Sequence, residues 1–402
     1  MQPTTQPSAS PSPAGAPSPP LPIQPGPAPS GKPLLFGYEW VDQTGWLPTA
    51  LANAFLDPVQ YGYGGNGTTI AIVGAAYPAL ADLQKFWSSS NGPAATVNLI
   101  PFDGGNSSPS AGDVAEATLD AETITGITPY AVTDVIEMPA LADEYVGPAI
   151  QFALQQNANV VSMSFGGCET DDEAADQVID SVAQEAAATG VTLVAAAGDA
   201  GPTCDAGTVN GVNEPASDPY VVGVGGSESL FNGGTYKSQR QLIIALRNPV
   251  VWNDTLPSDS PAGAGSGGVS QIWPIPAYQY APGAASNTMR NVPDISFPAS
   301  LLFGPAAFYL NGVWESAGGT SWSTPQFAAM QAQIDQVCST PRWALPDLYR
   351  VAYQAPGAFV DVTSGRITWP TSDLVYAAGP GYDNASGLGM PLGVEIAIFD
   401  GC

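Results

Sequence analysis

The stretch from Asn159 to Cys204 reads NVVSMSFGGCETDDEAADQVIDSVAQEAAATGVTLVAAAGDAGPTC. It opens and closes on short apolar runs, residues 159–166 and 191–199, of the length and β-branched character of buried strands. Between them lies a helical pattern that stops at Gly190. A strand, a helix and a strand in that order imply a parallel pair with its crossover helix packed on the sheet. Neither run alternates with polar residues, so both faces of the sheet are expected to be covered.

The same alternation continues outward. Upstream, residues 143–156 read as a helix, AVTDVIEM (131–138) as a strand, 113–125 as a helix, and Ile70–Val73 as a buried strand. Downstream, PYVVGVGG (219–226) reads as a further strand. VPDISFPA (292–299) and the residues before Gly318 read as irregular extended chain. Pro325 suits the first turn of a helix running to about Val337. The fold class is therefore α/β, with a mainly parallel central sheet and helices on both faces. Residues 34–402 are expected to form one domain. Residues 1–33 are rich in Pro, Ser and Ala, with almost nothing to bury, and read as a linker or tail.

In such sheets ligands gather at the carboxyl ends of the strands. SFGGCE and GDAGPTC both follow such ends, which brings Cys168 and Cys204 near one another and near any site. The four cysteines form no C-x-x-C pair, and an even count fits two disulfides in an oxidising compartment. Three pairings are possible from sequence. The topology argues for Cys168 with Cys204, and the pairing of Cys338 with Cys402 stays open.

The 402 residues carry 36 acidic and 9 basic side chains, a formal charge of −27, and no histidine. Nothing would neutralise phosphates, so nucleic acid is excluded as a partner. Charged residues make up 11%, against about 25% in ordinary proteins, and the deficit lies mainly in cations. In acid, where most carboxylates take up protons, few like charges would remain to repel one another. The balance reads as adaptation to acid rather than to salt. No apolar run is long enough to span a bilayer. The first residues lack the basic and apolar regions of a signal peptide.

Three groups of residues can carry chemistry. SAGGTSWSTPQFAAM (316–330) places Ser321 after a glycine turn and just before the expected helix, where free N–H groups and the helix dipole favour an oxyanion. The stretch also fits a helix cap of small residues, and on its own it supports both readings equally. A nucleophilic serine needs a base, and without histidine the choice falls on carboxylates. GDVAEATLDAETI (112–124) sets Glu116 and Asp120 four apart on one helix face, where neighbouring carboxyls can share a proton. An acidic helix surface gives the same spacing. Asp199, between glycines at a strand's end, could donate a hydrogen bond as a neutral acid, or cap its own turn.

Taken in order, E-x-x-L-D, G-D-x-G and G-T-S-x-S-x-P resemble the sedolisins, the serine-carboxyl peptidases of subtilisin-like fold that act in acid. SMSFGGCE, EPASDPYVVGVGG, SGGVSQIWPIPAYQ, VPDISFPA and DVTSG…AAGPGYDNASGLGMP agree with that pattern, over roughly residues 60 to 395. The resemblance implies Ser321 as nucleophile, Glu116 as base, Asp120 as its partner and Asp199 as the acid beside the oxyanion. It implies a Ca²⁺ ion in a loop at about 361–383, held by Asp361, Val362, Gly379, Gly381 and Asp383. It implies protein or peptide substrates, a secreted monomer working in an acidic environment, and a precursor with a prodomain. Endopeptidase and tripeptidyl-peptidase activities both occur in the family. A catalytically silent binding protein on the same scaffold is the alternative from another class. Two positions depart from some relatives. Gly74 stands where a glutamate can follow the first strand, and Phe165 stands where tryptophan can follow SMS, so an extended carboxylate network is not expected.

Overall fold

A computed structural model describes residues 40–41, 45–55, 57–90, 92–204, 208–229, 248–255, 262–279 and 282–402. The expected linker, residues 1–33, lies outside the described residues. The central sheet has eight strands: β1 (Thr69–Gly74), β2 (Thr96–Pro101), β3 (Val132–Glu137), β4 (Val160–Met163), β5 (Thr192–Ala196), β6 (Val221–Ser229), β7 (Pro249–Val251) and β8 (Ile295–Pro298). Their order is β7-β6-β5-β4-β1-β3-β2, and β8 pairs with the far half of β6. Every pairing is parallel except that of β6 with β7. The expected parallel α/β sheet is present.

Five helices pack around the sheet: α1 (Leu80–Ser89), α2 (Ala111–Ile127), α3 (Asp143–Gln155), α4 (Glu173–Ala188) and α5 (Thr320–Cys338). Side chains alternate across a strand, and the two faces feed separate cores. Ile70, Ile72, Val135 and Val194 pack with Leu119 and Ile124 of α2 and with Phe327 and Met330 of α5. Ala71, Val73, Ile136 and Leu193 pack with Val146 and Ile150 of α3 and with Ile179 and Val182 of α4. Apolar residues thus lie on both faces of the sheet, as the unbroken apolar runs require.

Two expectations need correction. VPDISFPA is not irregular: Ile295–Pro298 is β8, in register from Val224–Ile295 to Ser227–Pro298. The residues before Gly318 form an antiparallel hairpin, Ala306–Leu310 with Val313–Ala317. Their prolines and glycines lie at the strand ends, where the backbone N–H that proline lacks is not needed by the ladder. Strand β2 and helix α1 have no counterpart among the elements expected from the sequence. Among the described residues, both cysteine pairs are bonded, Cys168–Cys204 and Cys338–Cys402.

Candidate active site

Helices α2 and α5 pack against one another on the same face of the sheet. The first turn of α5 thereby meets the face of α2 that carries Glu116 and Asp120. Ser110 caps α2, accepting the Asp113 N–H, while the Asp113 side chain accepts the Ser110 N–H. This box holds the start of α2, one turn before Glu116.

Helix α5 begins one turn earlier than Pro325 suggests. Thr320 is its first residue and Ser321 lies inside its first turn, not before it. Gly319, at φ 100°, makes the entry. A Cβ there would fall 2.6 Å from Asp199 Oδ2, so only glycine fits the conformation and the space. Pro325 sits in the second turn and cannot donate to the Ser321 carbonyl. That carbonyl faces the Ser164 hydroxyl at 3.1 Å instead.

The four acid and hydroxyl groups read from the sequence come together. Asp120 is buried, and its Oδ1 accepts the Ser164 hydroxyl at 2.7 Å. The Ser321 hydroxyl donates to the Ser164 carbonyl at 3.1 Å. Burial pushes Glu116 up to about 7; hydrogen bonding with Ser321 pulls it down and the charge of Asp199 adds to the rise. Burial, and then the charge of Glu116, raise Asp120 well above the carboxylate range, against the Ser164 hydrogen bond. One buried oxygen of Glu116, Oε1, has no hydrogen-bond partner among the described residues.

Asp199 follows β5 across the cleft. Its Oδ1 accepts the Thr320 N–H at 2.7 Å and the Thr320 hydroxyl at 2.8 Å. The protein packed around it raises its pKa, and the Thr320 hydrogen bonds pull it partly back. Oδ2, over Gly319, is left for a ligand in the cleft. The cleft holds about 480 Å³ and is lined by Ser164, Phe165, Gly166, Asp199, Asn213 and Ser321 among others. Its walls come from the carboxyl ends of β4 and β5, where the topology places a ligand site. Cys168 and Cys204 line it too, so their disulfide staples its two walls.

Three residues of this site are not singled out by the sequence. Ser164 touches both Asp120 and Ser321, Thr320 holds Asp199, and the Asn213 amide donates to the Ala197 carbonyl beneath the cleft. Ser164 and Thr320 could have been found from their places, one just past a buried strand and one beside Ser321. Asn213 gives no such signal. Ser323 is buried and donates to the Phe297 and Pro298 carbonyls. At Gly74 a Cβ would meet nothing within 4 Å. A small cavity of about 30 Å³ lies between Gly74, Glu116, Asp120 and Phe165.

The 361–383 loop is built around one turn. Gly381 N–H donates to Asp361 Oδ2 at 2.9 Å, and Gly379 N–H donates to Asp383 Oδ2 at 2.8 Å. Asp383 Oδ1 accepts the Ala385 and Ser386 N–H groups. Both carboxylates therefore converge on residues 379–381. The Cβ positions of Gly379 and Gly381 face open space. Two carboxylates beside an open glycine turn fit the oxygen donors that Ca²⁺ takes.

Residues 78–345 match the model of the subtilase family. The chain belongs to the subtilase family. This subtilase is 32% identical over 377 residues to kumamolisin of a Bacillus species, a match covering 88% of the chain and 63% of the relative. It is 29% identical over 307 residues to tripeptidyl-peptidase 1 of Rattus norvegicus, covering 69% of the chain and 50% of the relative. The chain thus spans between half and two thirds of the length of these relatives. The solved structure of Pseudomonas sedolisin, a serine-carboxyl proteinase complexed with two molecules of pseudo-iodotyrostatin, superposes with a TM-score of 0.74 at 27% identity, covering 89% of the chain and 98% of that structure. The sedolisin resemblance read from the motifs and the subtilisin-like fold both stand. The subtilase has no described helix long and apolar enough to cross a membrane.

Proposed function

We propose that the chain is a serine-carboxyl endopeptidase that acts in acid through an acyl-enzyme. The observation that carries this is that Ser321 and Asp199 share one cleft, with Glu116 interacting with both from behind Ser321 and Asp120 acting on Glu116, in a chain without histidine. Glu116 takes the Ser321 proton as the hydroxyl attacks a peptide carbonyl. Asp120 shares that proton and is held by Ser164. Asp199, protonated, and the Ser321 N–H in the first turn of α5 donate to the oxyanion. Glu116 then hands the proton to the leaving amine, and water attacks the acyl-enzyme by the reverse sequence.

The working form has Glu116 ionised and Asp199 protonated. Burial pushes Glu116 up to about 7, and Asp199 is also raised above its ordinary value. Activity then follows a bell on the acid side of neutrality, because one acid must be ionised and the other protonated. A calcium ion held by Asp361, Asp383 and the carbonyls of Val362, Gly379 and Gly381 would tie the late loop to the body. A secreted monomer that acts on proteins, made with a prodomain, is the setting this reading expects.

The test is cleavage of a protein substrate from pH 2 to 7 by the wild type and by Ser321→Ala. Cleavage by the wild type alone is expected, and equal cleavage by both overturns the reading. A second reading, a tripeptidyl-peptidase, is supported by the match to tripeptidyl-peptidase 1. An N-blocked peptide separates the two, because cleavage within it requires an endopeptidase.

A further inference from the structure

The Phe165–Cys168 segment that walls the cleft also lines a second cavity of about 160 Å³, which does not reach Ser321. Its lining is of two kinds. Leu141, Val146, Phe165, Ile179 and Pro215 are apolar. Asp143, Asp176 and Glu214 are acidic. Asp143 is exposed, at the start of α3, whereas Asp176 and Glu214 are only 3% and 5% exposed.

The two buried acids are incompletely satisfied. Glu214 Oε2 accepts from the Ser217 hydroxyl at 2.6 Å and from Trp273 Nε1 at 3.3 Å. Glu214 Oε1 and Asp176 Oδ2 are buried without a hydrogen-bond partner among the described residues. Buried acceptors of this kind are rare and call for an explanation. Their surroundings add only negative charge: Asp143, Glu169, Asp172 and Glu173 act on Asp176, and Asp218 and Asp176 act on Glu214. Arg290, which acts on Asp218, is itself locked to Asp294 at 2.6 Å with both side chains fully buried.

An entering cation would complete this cavity by drawing off the protons that burial and neighbouring carboxylates hold on its acids. A metal ion is the poorer fit, because no three acids among the described residues stand close enough to hold one. A long cationic side chain fits on both counts. Its methylene stem lies along the apolar walls, and its head reaches the carboxyls that line the same cavity. The planar fork of arginine, with five donors, suits two separate acceptors better than an ammonium does.

We propose that this cavity is a specificity pocket for an arginine side chain of a peptide lying along the Phe165–Cys168 wall. The inference rests on the peptidase reading and deepens it by naming a substrate class. The arginine belongs to a residue other than the one whose carbonyl meets Ser321.

The test compares peptides that carry arginine or its neutral isostere citrulline at each position in turn on the amino side of the cleaved bond. At one position we expect kcat/KM to be at least about tenfold higher for arginine, one good charge-assisted contact. The ratio should fall below about threefold in Asp176→Asn/Glu214→Gln. Circular dichroism and thermal unfolding confirm that this variant folds; if it does not, Asp143→Asn, at the exposed mouth, must lower the ratio instead. Equal rates for arginine and citrulline at every position overturn the pocket and leave the peptidase reading intact. Should the wild type cleave nothing, binding of the same peptides to Ser321→Ala, read by calorimetry, decides. Tighter binding of the arginine peptide upholds the pocket, and equal binding removes it.

Discussion

The Ser164 hydroxyl donates to Asp120 Oδ1 at 2.7 Å, deep beneath the cleft. Its own backbone carbonyl accepts the Ser321 hydroxyl at 3.1 Å. Ser164 therefore ties the far member of the carboxyl pair to Ser321, the proposed nucleophile. Ser164→Ala removes the hydrogen bond that lowers Asp120, so the pair holds its shared proton more tightly. We expect kcat to fall at least about tenfold, the worth of a hydrogen bond to a charged group. The apparent pKa values of the kcat/KM profile should move upward, with Ser164→Thr restoring both. An unshifted profile in the alanine variant would remove Ser164 from the proton network.

Asp199 is held by Thr320 on one oxygen and open to the cleft on the other. If its role is to donate to the oxyanion, an amide can replace it in part. Asp199→Asn should keep more kcat than Asp199→Ala, which we expect to lose about 10²–10³-fold. The amide does not titrate, so the alkaline limb due to Asp199 should disappear from the asparagine variant. Glu116→Gln, which leaves no base, should lose more than either. Rates measured across pH 3 to 8 decide the order, and equal losses in the two Asp199 variants would count against the donor role.

Stability should also run opposite to the usual acid denaturation. Burial pushes Glu122 up to about 9, Asp218 to about 8, and Asp176 to about 7, each with contributions from neighbouring charge or hydrogen bonds. A carboxyl raised in the folded state binds more protons folded than unfolded. Its contribution is complete below the unfolded value, near 4, and is lost as the pH rises through the folded value. For these groups the window of loss runs from about 4 to about 9. Thermal unfolding should therefore give a higher Tm at pH 4 than at pH 8, by at least roughly 5 °C. Glu122→Gln should flatten the slope, since its amide carries no proton to lose. A Tm that rises from pH 4 to pH 8 would show that these groups ionise in the native state.

Much of this is legible because buried parallel strands leave long apolar runs, and β1, β3, β4, β5 and β6 can be read from them. Strand β2 cannot: it lies at the sheet edge with alternate exposure, and its sequence TVNLIP is short and mixed. Ile295–Pro298 and the hairpin before Gly318 are obscured by proline and glycine at strand ends. Ser321, Glu116, Asp120 and Asp199 stand out because an absent histidine restricts the base and the motifs occur in order. Pro325 misplaces the start of α5 by suggesting that the helix opens there, while the true signal is the positive φ of Gly319. Ser164 and Asn213 act through contacts between distant segments, Ser164 with Asp120 and Asn213 with Gly198, which spacing along the chain does not reveal.

The two disulfides should separate in their effects. Cys168–Cys204 closes a separation of 36 residues and lies in the cleft walls. Cys338–Cys402 closes 64 residues and fastens the chain's last residue to the end of α5, away from the cleft. Each loss should cost about 3–4 kcal/mol of stability on loop entropy. Cys168→Ser/Cys204→Ser should also raise KM, because the substrate walls are no longer joined. Cys338→Ser/Cys402→Ser should lower the denaturant midpoint with KM unchanged. A KM that responds equally to both would show that the first pair acts only through global stability.

Calcium dependence of the 361–383 loop can be measured without a substrate. Asp361 and Asp383 both hold the 379–381 turn through its N–H groups, and a cation bound beside that turn would draw on both carboxylates. If Ca²⁺ is that cation, chelation should lower Tm by several degrees through the loss of a ligand that binds only the folded state. Added Ca²⁺ should restore it, and Mg²⁺, which demands a tighter octahedral shell, should not. Asp361→Asn should abolish the response to both chelator and ion. It should leave the disulfide-closed core folded, because Asp361 is exposed and its side chain accepts the Gly381 N–H on the loop itself. A Tm indifferent to chelator in the wild type, read at neutral pH, would leave the turn held by its hydrogen bonds alone.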